Sequence, residues 1–195
     1  GCEAQRAGMV KLSEDLLRRV LDLDSDNEAA LLSLGFSAER TGEYGLATDY
    51  YERLVDAYPG HGQGLVRLAV NLIREKKLRP ASRHLEAAIA GQHSPWILSL
   101  AYQELAKLYL SDNELEKASE LMARATLRIP NDEKLYLLQA FVLDASQQKQ
   151  AVDTVLQTME LKARRNRGTS RHRYTEWPVE ALEETRTFLD DSTRA

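Results

Sequence analysis

The chain carries 195 residues, 43% of them apolar and 29% charged, with a formal net charge of −4. That balance excludes a disordered or collagen-like chain and speaks against a general nucleic-acid role. There is no apolar run of about eighteen residues, so no transmembrane helix is expected. The single cysteine excludes an internal disulfide framework and any multi-cysteine metal site.

In chain order, residues 1–8 are expected to form a flexible polar tail. From Val10 to Leu23, Leu12, Leu16, Leu17, Val20 and Leu21 recur at helical spacing. The run "DSDN", Asp24 to Asn27, breaks that helix and supplies a cap for the next. Leu31, Leu34 and Ala38 then make one helix and Leu46, Ala47, Tyr50, Tyr51, Leu54 and Val55 a second. Between them lies "RTGEYG", in which Gly42 suits a left-handed turn. Helices of about a dozen residues are marginal alone in water, so this pair must pack on neighbours.

The unit recurs. Leu65, Leu68, Ala69 and Leu72 precede a turn at Lys76-Lys77, and Ala81, Leu85 and Ala88 follow it. A third copy has Tyr102, Leu105, Ala106 and Tyr109, a turn at "SDNE", then Ala118, Met122, Ala125 and Pro130. Leu31 and Leu65 are 34 residues apart, whereas Tyr102 lies 37 beyond Leu65; the extra residues fall at "GQHSPW", Gly91 to Trp96. A degenerate fourth copy pairs Leu135, Tyr136, Ala140 and Leu143 with Val152, Val155, Leu156 and Met159. After a basic segment, "TEWPVEALEETRTFLDD" predicts a last helix that caps the array.

This ordered set resembles the tetratricopeptide repeat (TPR), a 34-residue antiparallel helix pair. Leu31, Leu34, Gly35, Tyr44, Ala47, Tyr51, Leu54 and Pro59 match its signature positions, and Ala38 stands where an aromatic is more typical. Gly35, Ala69, Ala106 and Ala140 are small where the first helix approaches the second, and Ala47, Ala81 and Ala118 are small on the other side. The resemblance implies an all-α, TPR helix-turn-helix superhelical solenoid with a C-terminal capping helix. Its expected organisation is a tail over 1–8 and an array over 9–163. The array divides into a partial repeat 9–27, repeats 28–61, 62–98 and 99–132, and a degenerate repeat 133–163. A basic linker follows over 164–174, then a capping helix and tail over 175–195.

The resemblance also implies a non-catalytic scaffold that holds a protein or peptide in a concave groove lined by the first helix of each pair. Arg40, Arg67, Asn71, Arg74, Gln103 and Lys107 are the expected groove residues, with Glu39 and Tyr102 beside them. The family's two-carboxylate clamp is incomplete here. No cofactor, metal site or specific nucleic acid is expected. Glu114, Glu116 and Glu120 form the nearest approach to a carboxylate cluster and read as solvated. The basic patch Arg164, Arg165, Arg167, Arg171 and Arg173 is available to lipid headgroups or a partner. Cys2, in "GCEAQ", looks like the acylated residue of a bacterial lipoprotein. That favours an envelope-anchored adaptor at the periplasmic face of the outer membrane, in assembly of a pilus, secretin or related complex. The alternative is a soluble cytoplasmic chaperone or binding module for a secreted client, and self-association is a further possibility.

Overall fold

A computed structural model describes residues 2–166. The described chain is helical: α1 Cys2–Leu23, α2 Glu28–Thr41, α3 Tyr44–Ala57, α4 Gly62–Arg74, α5 Leu78–Ala90, α6 Pro95–Ser111, α7 Leu115–Arg128, α8 Glu133–Ala145 and α9 Lys149–Asn166. Two compact units divide it, over residues 1–93 and 94–195. The first holds α1–α5; the second holds α6–α9.

In the first unit, α2 pairs with α3 and α4 with α5, while α3 packs on α4 and α1 on α2. The starts of α2 and α4 are capped by side chains. Asn27 accepts from the Ala30 amide at 3.1 Å, and the His61 imidazole Nδ1 accepts from the Gly64 amide at 2.9 Å. The apolar positions then close a core in which Leu31, Ala47, Tyr51, Leu54, Ala69, Ala81 and Leu85 are fully buried. Burying one such large side chain contributes about 1.5–3 kcal/mol, which is what holds helices of this length.

The tightest contact is Gly35 against Tyr51. A Cβ at residue 35 would stand 2.5 Å from the Tyr51 Cε1. Tyr51 is fully buried and has nowhere to retreat. Gly35 therefore sets the distance between α2 and α3.

The turn inside each pair repeats the same conformation. Gly42, Lys76, Asn113 and Gln147 all have positive φ, at 82°, 60°, 58° and 60°. In each case the following amide donates to the carbonyl five residues back: Glu43 to Ala38, Lys77 to Leu72, Glu114 to Tyr109 and Gln148 to Leu143. This double-bonded helix end satisfies carbonyls that would otherwise be orphaned. Only the first copy places glycine there. Thr48 and Lys77 brace the second turn. The Thr48 hydroxyl donates to Glu75 at 3.1 Å and Lys77 pairs with Glu75 at 2.7 Å, which holds the Glu75 carboxyl below its usual range.

In the second unit, α6 pairs with α7 and α8 with α9, with α7 on α8 and α6 also touching α8. Tyr136 and Leu137 of α8 bury Met159 of α9, with Val155 and Leu156 beside them.

Three boundaries differ from the sequence reading. Residues 2–8, expected as a tail, are the first turns of α1; nothing in "CEAQRAG" stops a helix except one glycine. The longer third interval is absorbed by the Gly91–Ser94 loop and by α6, which has 17 residues and opens with Pro95 in its first turn. Arg164 and Arg165 lie in α9 rather than in a linker, because 149–166 contains no proline or glycine. The expected capping helix over 175–195 lies outside the described residues, as do Arg167, Arg171 and Arg173.

Two substitutions test this account. Gly35→Ala should lower unfolding free energy by about 1–3 kcal/mol in urea titrations. Lys76→Gly, which relieves a left-handed lysine, should raise it by about 1 kcal/mol.

Candidate interaction face

The first helices of the two pairs in the first unit, α2 and α4, are joined by polar side chains. Phe36, Glu39 and Arg40 fall at i, i+3 and i+4 on α2, hence on one face; Arg67 and Arg74 fall two turns apart on α4. The Arg67 Nη1 donates to the Glu39 Oε2 at 3.0 Å. Glu39 is only 10% exposed in its side chain, so this pair is partly desolvated and stronger than an ordinary surface pair.

Two arginines of α4 also lie over aromatic rings. The Arg67 guanidinium is 5.2 Å from the centre of the Phe36 ring on α2, and Arg74 is 4.3 Å from that of Tyr44, the first residue of α3, which borders the α2–α4 face. Both rings remain open to solvent, Phe36 at 44% and Tyr44 at 41%. Each stacked arginine keeps a fixed plane and donors to spare, while the uncovered part of the ring offers an apolar seat. Arg40, exposed in the last turn of α2, adds a third cation.

Tyr51 lies beneath this face. Burial pushes its phenol well above the ordinary tyrosine range; the Glu39 carboxylate pushes the same way and Arg67 opposes it. The hydroxyl sits close enough to Glu39 to feel its charge, yet no well-aligned hydrogen bond satisfies it.

The expected groove residues divide. Arg40, Arg67 and Arg74 belong to the α2–α4 face. Asn71 does not: it is fully buried between Leu68 and Leu72, with neither side-chain polar atom paired. Its position on the inward arc of α4 puts it in the core. Tyr102 is likewise a core residue, 1% exposed.

In the second unit, Gln103 donates to the Ser99 hydroxyl at 2.8 Å and Lys107 pairs with Glu104 at 2.8 Å, both along α6. Glu114 pairs with Lys117 at 2.7 Å. Of the basic patch, Arg164 is paired with Glu160. The neighbouring Lys162 turns inward, donating to the Tyr136 hydroxyl with its ammonium 5.0 Å from that ring. Cys2 is the first residue of α1, and its side chain lies outside the described residues.

Sequence reasoning missed the two stacking rings. Phe36 holds no repeat-signature position, and Tyr44 reads as a packing residue of the repeat. An aromatic 31 residues ahead of Arg67 gives no local signal. It also missed a surface cleft in the second unit between Pro95, Trp96, Ile129, Asp132, Lys134 and Leu137. Trp96, 53% exposed, was its visible mark.

Paired helices, small residues at the crossings and the repeated left-handed turn together define a TPR fold. Solved structures bear this out. Among them, PilF of Pseudomonas aeruginosa is 17% identical, with a TM-score of 0.68 over 99% of this chain and 83% of its own. MamA of Desulfovibrio magneticus RS-1 is 21% identical, with 0.63 over 86% and 92%. YrrB, described as a TPR protein with an unusual peptide-binding site, is 14% identical, with 0.64 over 93% and 86%. No family model and no curated protein sequence matches the chain.

Tyr51 gives a pH test of the layer under the face. Its phenol ionises near 10.0 when unfolded and higher when folded. The stability it protects is therefore present below pH 10 and is lost as pH rises above it, by about 1.4 kcal/mol per unit. Tyr51→Phe should remove that slope in denaturant titrations. At pH 7 it should cost little, because the hydroxyl is unpaired.

Proposed function

We propose that this protein is a non-catalytic interaction scaffold that holds an extended segment of another protein against the α2–α4 face. The observation that carries the reading is the pair of half-exposed rings, Phe36 and Tyr44, each under an arginine of α4. Buried aromatic and arginine anchors are the side chains that dominate binding energy at protein interfaces. Here they are already ordered, so less side-chain entropy is lost on binding.

We further propose an envelope-anchored adaptor at the periplasmic face of the outer membrane, acting in assembly of a pilus, secretin or related complex and acylated at Cys2. What supports it is the "GC" pair holding the chain's sole cysteine.

A photo-reactive amino acid at residue 36 or at residue 49 on α3 separates the faces in the native host. Residue 36 should crosslink one protein partner that residue 49 does not. Arg74→Glu, at an exposed position, should reduce that crosslink about tenfold or more while the thermal melt stays within a few degrees. Equal labelling from both positions would remove the face reading. The intact mass of the N-terminal peptide from membrane and soluble fractions tests the anchor. A diacyl or triacyl adduct on Cys2 supports it, and an unmodified cysteine in a soluble protein replaces it with the soluble chaperone.

A further inference from the structure

Two arginines of α4 make the same stack, but only one stack is complete. The Arg67 guanidinium lies over the Phe36 ring and donates to the Glu39 carboxylate at 3.0 Å, so ring, cation and acid are all present. Arg74 lies closer over its own ring, 4.3 Å from the centre of Tyr44. No carboxylate meets Arg74 among the described residues, and none meets Arg40 in the last turn of α2. Arg40, Tyr44 and Arg74 are all exposed.

The acids of this end of the face are engaged elsewhere. Glu39 is held by Arg67. Glu75 pairs with Lys77 at 2.7 Å and accepts from the Thr48 hydroxyl, and Glu43 accepts from the Thr41 hydroxyl at 2.9 Å. Arg40 and Arg74 are therefore left without counter-charge, in a chain whose net charge is −4. A guanidinium stacked by its flat side still presents an N–H edge, the geometry that takes a carboxylate through two parallel hydrogen bonds. The stack also fixes the plane in advance, so little rotamer freedom is lost when an acid arrives.

We propose that the partner segment held on the α2–α4 face is acidic. One of its carboxylates completes the Arg74–Tyr44 stack as Glu39 completes the Arg67–Phe36 stack, and a second is held by Arg40. The open part of the Phe36 ring, 44% exposed, seats an apolar side chain of the same segment. The inference rests on the reading of that face as a seat for a foreign segment, and gives the segment its chemistry. Charge complementarity selects the occupant. The two open cations alternate with apolar rings, which matches a polypeptide that alternates acidic and apolar residues better than it matches a continuous layer of phosphates.

Fluorescence anisotropy of the full chain with three labelled peptides tests it. The probes are a fourfold repeat of Glu-Leu-Pro and its counterparts with glutamine or lysine in place of glutamate. In a polyproline II segment every third side chain lies on one side, at intervals of about 9 Å. The glutamate peptide should bind about tenfold or more tighter than either counterpart at low salt, and the difference should shrink as salt rises. Arg40→Glu combined with Arg74→Glu should reverse the order, so that the lysine peptide binds tightest. Both sites are exposed, so the circular-dichroism melt should stay in place. Equal binding of the glutamate and glutamine peptides would overturn the proposal, as would a glutamate preference that survives the double substitution. Displacement of the glutamate peptide by phosphatidylglycerol vesicles would assign the two arginines to a lipid surface, and would overturn it too. The crosslink from residue 36 in the native host does not depend on the partner's charge. Its persistence beside any of these results would leave the face reading standing while the acidic partner falls.

Discussion

The structure of the first unit depends on a glycine facing a buried tyrosine. Because residue 35 has no side chain, α2 and α3 approach until the Tyr51 ring occupies the space that a Cβ would take. The ring then passes through the layer and brings its hydroxyl beside Glu39, one helical turn on from Gly35, and near Arg67 of α4. The close approach that stabilises the core thus also places the floor of the candidate face. Burial is what makes the phenol resist ionisation, and the same burial leaves its hydroxyl without a good partner. A packing requirement has been met at some cost in polar satisfaction.

The second constraint is the repeated left-handed turn. A lysine, an asparagine and a glutamine accept a conformation that glycine would take more readily, at spacings of 34, 37 and 34 residues from Gly42 to Gln147. They hold it because two backbone hydrogen bonds close each helix end and the following helix must fold back on its partner. The tertiary pairing overrides the local preference of the residue. The longer middle interval is absorbed outside the turn, in the loop before α6, so the turn geometry survives a change in repeat length.

Charge on the first unit is ordered by its neighbours. On the α2–α4 face, arginines are immobilised over rings and one is paired with a nearly buried glutamate, which orders the donors without using all of them. That leaves an ordered cationic and aromatic surface on the first unit.

Repeat register, helix pairing and the small residues at the crossings were legible in the sequence. Each follows from periodicity and side-chain volume, properties that short stretches carry by themselves. Gly42 at the turn and the cap at Asn27 could be read for the same reason. What only the tertiary structure decided is which side of a helix faces inward when polar and apolar residues share an arc. Asn71 looked like a groove residue by its chemistry, but α4 is packed by both α3 and α5, and the arc holding Leu68, Asn71 and Leu72 is enclosed. Phe36 and Tyr44 became parts of a face only because Arg67 and Arg74, on another helix, come to rest over them. Spacing along a chain encodes contacts within a helix; contacts between helices depend on how the buried volumes fit.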